Sequence, residues 1–420
     1  MHPTRTRTPM PAHGATVSPP RRRSRAIAAM AALCAAALLA GCGGRTGDGP
    51  TVQQPPPRYD TSRVPPYLPR GVLPETTKPA EKVKVALLLP LSGQHAGIGD
   101  ALLKAAQMAV FDVADENFTL VPLDTRGTPD GAAEAARAAV REDVKLILGP
   151  LLSSSVNAAS IATRGSGLNY IAFSNDRMVA GNGVYLMGFL PGDEVARVVS
   201  HAADTGLRRL GALAPETPYG RLTVESLRTS AARHGGTVAR AAVVPAEPQA
   251  VAQGARDLAQ GETYDAVLVS FAGPALNDAA QQLRSAGVDP MRTRFLGTGQ
   301  WDQPTLYQEP LLHGSWLAMV PPESRGEFVR RYRDAYGAEP PRIATLAYDA
   351  TALSALIAAS PNPRFDDAAL TNPRGFAGAD GYFRFRPDGT AERGLAVMEV
   401  VPGGLRIVAP PATRAEDLAS

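Results

Sequence analysis

Val83-Lys84-Val85-Ala86-Leu87-Leu88-Leu89 is an apolar run broken by a single lysine. A strand with one wet face alternates apolar and polar residues. A run without alternation belongs to a strand covered on both faces, as in a parallel sheet flanked by helices. Pro90 and Gly93 end it, and Ala101, Leu102, Ala105, Ala106, Ala109 and Val110 then recur at helical spacing. The unit repeats. Strands are predicted at 119–122, 146–148, 170–173, 210–213, 241–244, 266–270 and 295–297. Helices are predicted at 131–141, 153–162, 193–204, 221–234, 251–260 and 275–285. Strands alternating with helices of this length imply βαβ units, and a break near 188–193 divides them into two series. The expected fold class is α/β, with two doubly wound, Rossmann-like lobes.

The charge of the chain depends on its first forty residues. The whole sequence carries 43 Lys and Arg against 40 Asp and Glu, a net of +3. Residues 1–41 hold arginines 5, 7, 21, 22, 23 and 25 and no acidic residue. Without these six, 37 basic residues face 40 acidic ones and the net becomes −3. The cluster Arg21-Arg22-Arg23-Ser24-Arg25 precedes an apolar stretch that ends at Ala40, followed by Gly41 and Cys42. That is the layout of a secretory signal, and the stretch is shorter than the roughly 20 apolar residues of a membrane span. Leu39-Ala40-Gly41-Cys42 resembles the bacterial lipobox, which implies diacylation of Cys42 and anchoring of the mature chain to a membrane by lipid. Gly43 stands where an Asp would resemble the inner-membrane retention signal, so the expected location is the periplasm, on the outer membrane. Residues 42–81 include nine prolines and read as an extended tether. The other cysteine, Cys34, falls in the signal, which excludes a disulfide or a thiolate nucleophile from the mature domain. A mature chain of net −3 gives no reason to expect nucleic acid.

Open parallel sheets bind ligands at the carboxyl ends of their strands. The loops there are Pro90-Leu91-Ser92-Gly93-Gln94-His95, Gly149-Pro150-Leu151-Leu152-Ser153-Ser154-Ser155, Phe173-Ser174-Asn175-Asp176 and Thr298-Gly299-Gln300-Trp301. Hydroxyls and free amides at helix N-termini suit carboxylate or phosphate groups, and the same residues serve as ordinary N-caps. Residue chemistry alone does not choose between these. Enzyme signatures are missing: there is no G-x-S-x-G, S-x-x-K, H-E-x-x-H or G-x-x-x-x-G-K-[ST]. Gly97-Ile98-Gly99 lacks the third glycine of a dinucleotide fingerprint. His95, His201, His234 and His313 show no metal-ligand spacing, and the last residues of helices account for His201 and His234. No enzyme activity, metal or cofactor is expected.

Taken with the lipobox, these loops make the chain resemble, over about residues 82–410, a type 1 periplasmic binding protein of the leucine/branched-chain amino-acid-binding family. The motifs are Val85-Ala86-Leu87-Leu88-Leu89-Pro90-Leu91-Ser92-Gly93, Gly149–Ser155, Pro218-Tyr219-Gly220, Tyr348-Asp349-Ala350 and the segment Gly378–Gly389. The resemblance implies a hinge of three crossings, near 190, 315 and 360. Lobe 1 is then 82–190 plus 316–360, lobe 2 is 191–315 plus 361–410, and 411–420 is a disordered tail. It also implies that Ser153, Ser154 and Ser174 hold a ligand carboxylate, with Tyr219 from the second lobe; Ser92, His95, Asn175 and Trp301 complete the candidate set. The family's acid for a ligand ammonium is replaced by Thr298-Gly299-Gln300-Trp301, with Asp302 late, and Asp176 sits where it would repel a carboxylate. Leucine-type ligands should therefore bind poorly. The lipobox, tether and altered site together resemble the lipoprotein branch known as penicillin-binding protein activators. That implies a non-enzymatic regulator of cell-wall synthesis partnered with a peptidoglycan synthase. The alternative is the substrate-binding protein of an ABC importer, partnered with its membrane subunits, for amino acids or another small polar solute.

Overall fold

The structure is a computed structural model and describes residues 82–418. The expected signal peptide, lipidation at Cys42 and tether fall on residues 1–81, outside the described residues.

The first lobe alternates β1 (Val83–Leu89), α1 (Ala96–Val113), β2 (Phe118–Asp124), α2 (Pro129–Arg141), β3 (Leu146–Leu148), α3 (Ser153–Ala162), β4 (Tyr170–Ala172) and β5 (Val184–Leu186). The strands form one parallel sheet in the order β2-β1-β3-β4-β5. The apolar run of β1 is two-faced, as its lack of alternation predicts. Val83, Val85, Leu87 and Leu89 enter one core layer, while Ala86 and Leu88 enter the opposite layer with Ala132, Ala136 and Ala159 of α2 and α3. At about 25 cal/mol per Å² of apolar surface removed from water, filling both faces makes β1 the strand on which the lobe is built.

The second lobe continues with α4 (Pro191–Asp204), β6 (Arg209–Pro215), α5 (Pro218–Arg233), β7 (Thr237–Val244), α6 (Pro248–Ala259), β8 (Ala266–Val269), α7 (Pro274–Ser285), β9 (Arg294–Thr298) and β10 (Trp316–Met319). The chain then forms α8 (Gly326–Tyr336), α9 (Ala344–Ala358), α10 (Asp367–Leu370), β11 (Phe376–Gly378), β12 (Gly381–Phe385), β13 (Ala391–Arg393), β14 (Ala396–Val401), β15 (Gly404–Ala409) and α11 (Ala415–Leu418). A seven-stranded sheet runs β15-β14-β10-β9-β8-β6-β7, parallel from β10 to β7, with β14 and β15 antiparallel at one edge. Here too the strands are two-faced: Val267 and Val269 of β8 pack on one side, Ala266 and Leu268 on the other.

Two of the expected crossings are misplaced. Trp316 pairs with Leu296 of β9 and with Glu399 of β14, so β10 belongs to the second lobe and the chain crosses after Met319, not near 315. Residues 361–391 belong with the first lobe. Phe365, Leu370, Phe383, Phe385 and Ala391 pack in the core of Leu87, Leu346 and Leu353. The Leu186 amide also bonds the Gly389 carbonyl, at 2.7 Å, joining the small β11-β12-β13 sheet to the edge of β5. The third crossing therefore lies at Arg393–Leu395, where β13 gives way to β14, and not near 360. Short antiparallel strands carry no βαβ rhythm, so the sequence pattern does not reveal which lobe they join. Within the stretch 411–420, expected as a disordered tail, residues 415–418 form the helical turn α11, and 419–420 lie outside the described residues. A Cβ on Gly394 would sit 2.0 Å from the Ala412 carbonyl, so this stretch lies directly against the third crossing.

Candidate functional site

The carboxyl edge of the first sheet presents the start of α3. Its N-cap position is Leu152, which has no side chain to cap the helix, so the first-turn amides are left to other partners. Ser153 and Ser154 occupy that turn. Ser155, not singled out from sequence, is 1% exposed, and its hydroxyl has no hydrogen-bond partner among the described residues. A buried, unpaired hydroxyl beside free amides and the positive end of a helix suits an anionic oxygen. Ser174 follows β4. It is 3% exposed, and its Oγ accepts the Asp176 amide at 3.1 Å, leaving its proton free to donate. Asn175 is exposed. The Asp176 carboxylate accepts the Met178 amide at 3.0 Å, capping a short turn.

Ser92 is committed elsewhere, which corrects its place in the candidate set. Its hydroxyl donates to Asp124 Oδ2 at 2.6 Å, and the amides of Leu91, Ser92 and Arg126 converge on Oδ1. Slight burial pushes the Asp124 carboxyl up, but the Ser92 hydroxyl and these amides outweigh it and hold the group below its ordinary range. Ser92 thus staples the β1–α1 loop. His95 is the N-cap of α1 without a capping side-chain bond, and its ring lies beside Gly127.

In the second lobe, Tyr219 begins α5 and its hydroxyl pairs with Thr298 Oγ1, at the end of β9, at 2.7 Å. Burial, and beyond it the charge of Glu194, push the phenol well above its ordinary value, against the Thr298 bond. Trp301 is a second correction. It is 1% exposed and donates Nε1–H to the Phe271 carbonyl at 3.1 Å. Its ring lies so close to β9 that a Cβ on Gly297 would be 2.4 Å away. Trp301 is core, and Gly297 is glycine to admit it. Asp302 is also occupied, accepting from Tyr307 at 2.6 Å and facing Arg325 at 3.2 Å.

Sequence reasoning missed a polar cluster between the lobes. Glu194, on α4, is 5% exposed and accepts the Gly299 amide at 3.0 Å. Arg342, in the connection between α8 and α9, donates Nη1–H to the Gly299 carbonyl at 3.0 Å; its Nη2 lies 3.7 Å from Glu194 Oε1. Burial pushes the Glu194 carboxyl up, opposed by the Arg342 charge and the Gly299 bond. Arg342 and Arg393 both lie over the ring of Phe189, at 4.3 and 4.9 Å. A cavity of about 10 Å³, room for one water, adjoins Phe189, Glu194 and Arg393. The partners are too far apart in sequence for spacing to link them. The only local signal is a Pro-Gly-Asp-Glu helix start and a Pro-Pro-Arg. A separate open groove of about 590 Å³ lies between α9, α10 and β11, lined by Leu353, Ile357 and Phe376, and includes none of these residues. Among the described residues no helix is long and apolar enough to cross a membrane, and no His, Cys, Asp or Glu cluster could hold a metal.

The architecture has solved counterparts. A branched-chain amino acid ABC transporter periplasmic ligand-binding protein from Burkholderia xenovorans is 17% identical with a TM-score of 0.63, covering 79% of this chain and 96% of that one. LivJ from Streptococcus pneumoniae, in complex with isoleucine, is 19% identical with a TM-score of 0.56, covering 79% and 100%. A solute-binding protein of an ABC transporter from R. palustris, in complex with benzoate, is 18% identical with a TM-score of 0.57, covering 79% and 97%. A comparison with curated protein sequences yields no match. The model of the periplasmic binding protein family matches residues 82–404, most of the chain. The chain belongs to the periplasmic binding protein family, and its fold is that of the solved neighbours.

Proposed function

We propose that the chain is the substrate-binding component of an ABC importer and that its cleft takes a small organic carboxylate without an ammonium group. The observation that carries this is the start of α3, where an uncapped helix end meets the hydroxyls of Ser153 and Ser154 and the unpaired, buried hydroxyl of Ser155. The carboxylate sits on this turn and on the Ser174 hydroxyl, and Tyr219 closes over the ligand from the second lobe. Asp302 is held by Tyr307 and Arg325, so it does not offer its charge to a ligand amine. Solved neighbours are solute- or substrate-binding proteins of transporters, one with benzoate and one with isoleucine, which supports transport over the regulation of a peptidoglycan synthase. The regulator reading draws on the lipobox and tether, which lie before residue 82 and outside those described, and on the altered site at Thr298–Trp301 and Asp176. Lipid on Cys42 and the tether keep the binding domain at a membrane surface in the periplasm.

Calorimetric titration tests this with benzoate and leucine. Benzoate is expected to bind with a Kd in the micromolar range, and S153A/S154A to weaken it at least about tenfold, a loss of about 1.4 kcal/mol. A leucine Kd below about 10 μM, roughly −7 kcal/mol, would refute the ammonium-free ligand class. Benzoate binding untouched by S153A/S154A would remove α3 from the site.

A further inference from the structure

Glu194 and its counter-ion come from different lobes. Its helix α4 packs on the second sheet, whereas Arg342 joins α8 and α9, which pack on α1 of the first lobe. Both groups grip one residue: the carboxylate takes the Gly299 amide, and the guanidinium donates to the Gly299 carbonyl. The grip is tight, since a Cβ on Gly299 would lie 2.5 Å from Arg342 Nη1 and 2.8 Å from Glu194 Oε1. One residue earlier, Thr298 bonds Tyr219. The ion pair is thus contiguous with the tyrosine assigned to the ligand, at the carboxyl edge of the second sheet. Arg342 Nη2 has no hydrogen-bond partner among the described residues, so Glu194 holds it by charge at 3.7 Å and not by a second bond.

A carboxylate buried this deeply requires one cation. Here the protein supplies it. A second cation brought to the same carboxylate would face the guanidinium across a few ångströms of low dielectric, where like charges repel strongly. We propose that Arg342 is a specificity-determining residue: a built-in cation that satisfies the cleft carboxylate Glu194 and so excludes ligands bearing an ammonium. It follows that removing Arg342 turns Glu194 into a site for an organic ammonium or guanidinium ion. This rests on the cleft being the ligand site, as proposed above.

The test uses the full chain and the variants Arg342→Met, Arg342→Lys and Arg342→Met/Glu194→Gln, with leucine, benzoate and methylguanidinium as probes. Met keeps most of the side-chain volume without the charge. R342M is expected to bind leucine at least about tenfold more tightly than the unaltered chain, and to melt higher in millimolar methylguanidinium. R342K keeps the cation and continues to exclude leucine. The double variant lacks the orphaned charge, so it responds to neither leucine nor methylguanidinium. If R342M fails to fold alone, methylguanidinium restores it, while the double variant folds without help. R342M that folds and matches the unaltered chain toward both cations overturns the proposal, as does a double variant that gains leucine binding equally. Failure of the unaltered chain to bind benzoate or any other small carboxylate would count against the ligand class instead. The methylguanidinium response would still report on Arg342.

Discussion

Replacing Asp349 by Asn removes one charge from a buried cluster that has too many of one sign. Asp349 is 2% exposed on α9; its Oδ1 accepts the Ala379 amide at 2.6 Å and its Oδ2 faces the Asp380 amide at 3.5 Å. Asp380 is 1% exposed and accepts the Thr345 hydroxyl. The cation facing both is Arg393, itself 8% exposed, which donates Nη2–H to the Met187 carbonyl at 2.6 Å. Two carboxyls share one guanidinium. Burial first, then the Asp380 charge, push Asp349 up from 3.8 to about 7, against the Ala379 bond and the Arg393 charge. The folded chain therefore holds this proton more tightly than the unfolded chain. Its stabilising contribution is complete below about pH 4 and is lost as pH rises through about 7. At about 1.4 kcal/mol per unit the whole displacement corresponds to at most about 4 kcal/mol, of which about 2–3 kcal/mol falls between pH 5 and pH 8. Asn keeps the acceptor for the Ala379 amide and cannot ionise. D349N should gain on the unaltered chain by that about 2–3 kcal/mol between pH 5 and pH 8, measured by urea unfolding with linear extrapolation. An advantage that does not grow with pH, or a variant less stable at pH 8, would refute the reasoning.

Two further predictions concern packing and charge. Trp301→Ala should cost about 3–5 kcal/mol in urea unfolding and leave the benzoate-to-leucine preference unchanged, because the ring fills the core against Gly297; a lost preference at unchanged stability would put Trp301 back in the cleft. The Asp112 side chain is 2% exposed and holds both Arg331 and the Tyr348 hydroxyl, so Asp112→Ala should cost about 3–5 kcal/mol. Asp100→Ala, which breaks an exposed pair with Lys104, should cost at most about 1 kcal/mol; equal melting temperatures for the two variants would contradict that contrast.

How much was legible depended on the range of the physical signal. Buried parallel strands and their helices announce themselves within a dozen residues, and β1, β3, β6, β8 and β9 lie where their apolar runs predict. Membership of β10 in the second sheet depends on pairing with Leu296 and Glu399, which no local pattern encodes. The same holds within the site. The strand-end positions of Ser153, Ser154 and Ser174 are legible because those loops are short, and that of Tyr219 because Thr217 and Pro218 open the helix there. Ser92 and Trp301 were misassigned for one reason: both occupy a strand-end loop, and only their partners, Asp124 and the Phe271 carbonyl, show that the loop uses them internally. The pairing of Glu194 with Arg342 is not legible, because neither local segment names a partner that lies far away in sequence.

The interlobe contacts divide by what a hinge rotation does to them. Arg393 lies at the third crossing and bonds Met187 at the first. Both residues lie at crossings between the lobes, so this bond can turn with the lobes as a pivot. Arg342 on Gly299 and Glu194, and Arg386 3.6 Å from Asp193, join side chains carried by different lobes, so separation of the lobes breaks them. Phe189 couples the two groups, because its ring carries the breaking guanidinium of Arg342 and the pivoting one of Arg393. A ring offers its negative face to each cation, but the cations repel one another, and Glu194 and the Asp349–Asp380 pair supply the compensating charge. Of these contacts, separation of the lobes must break chiefly those of Arg342.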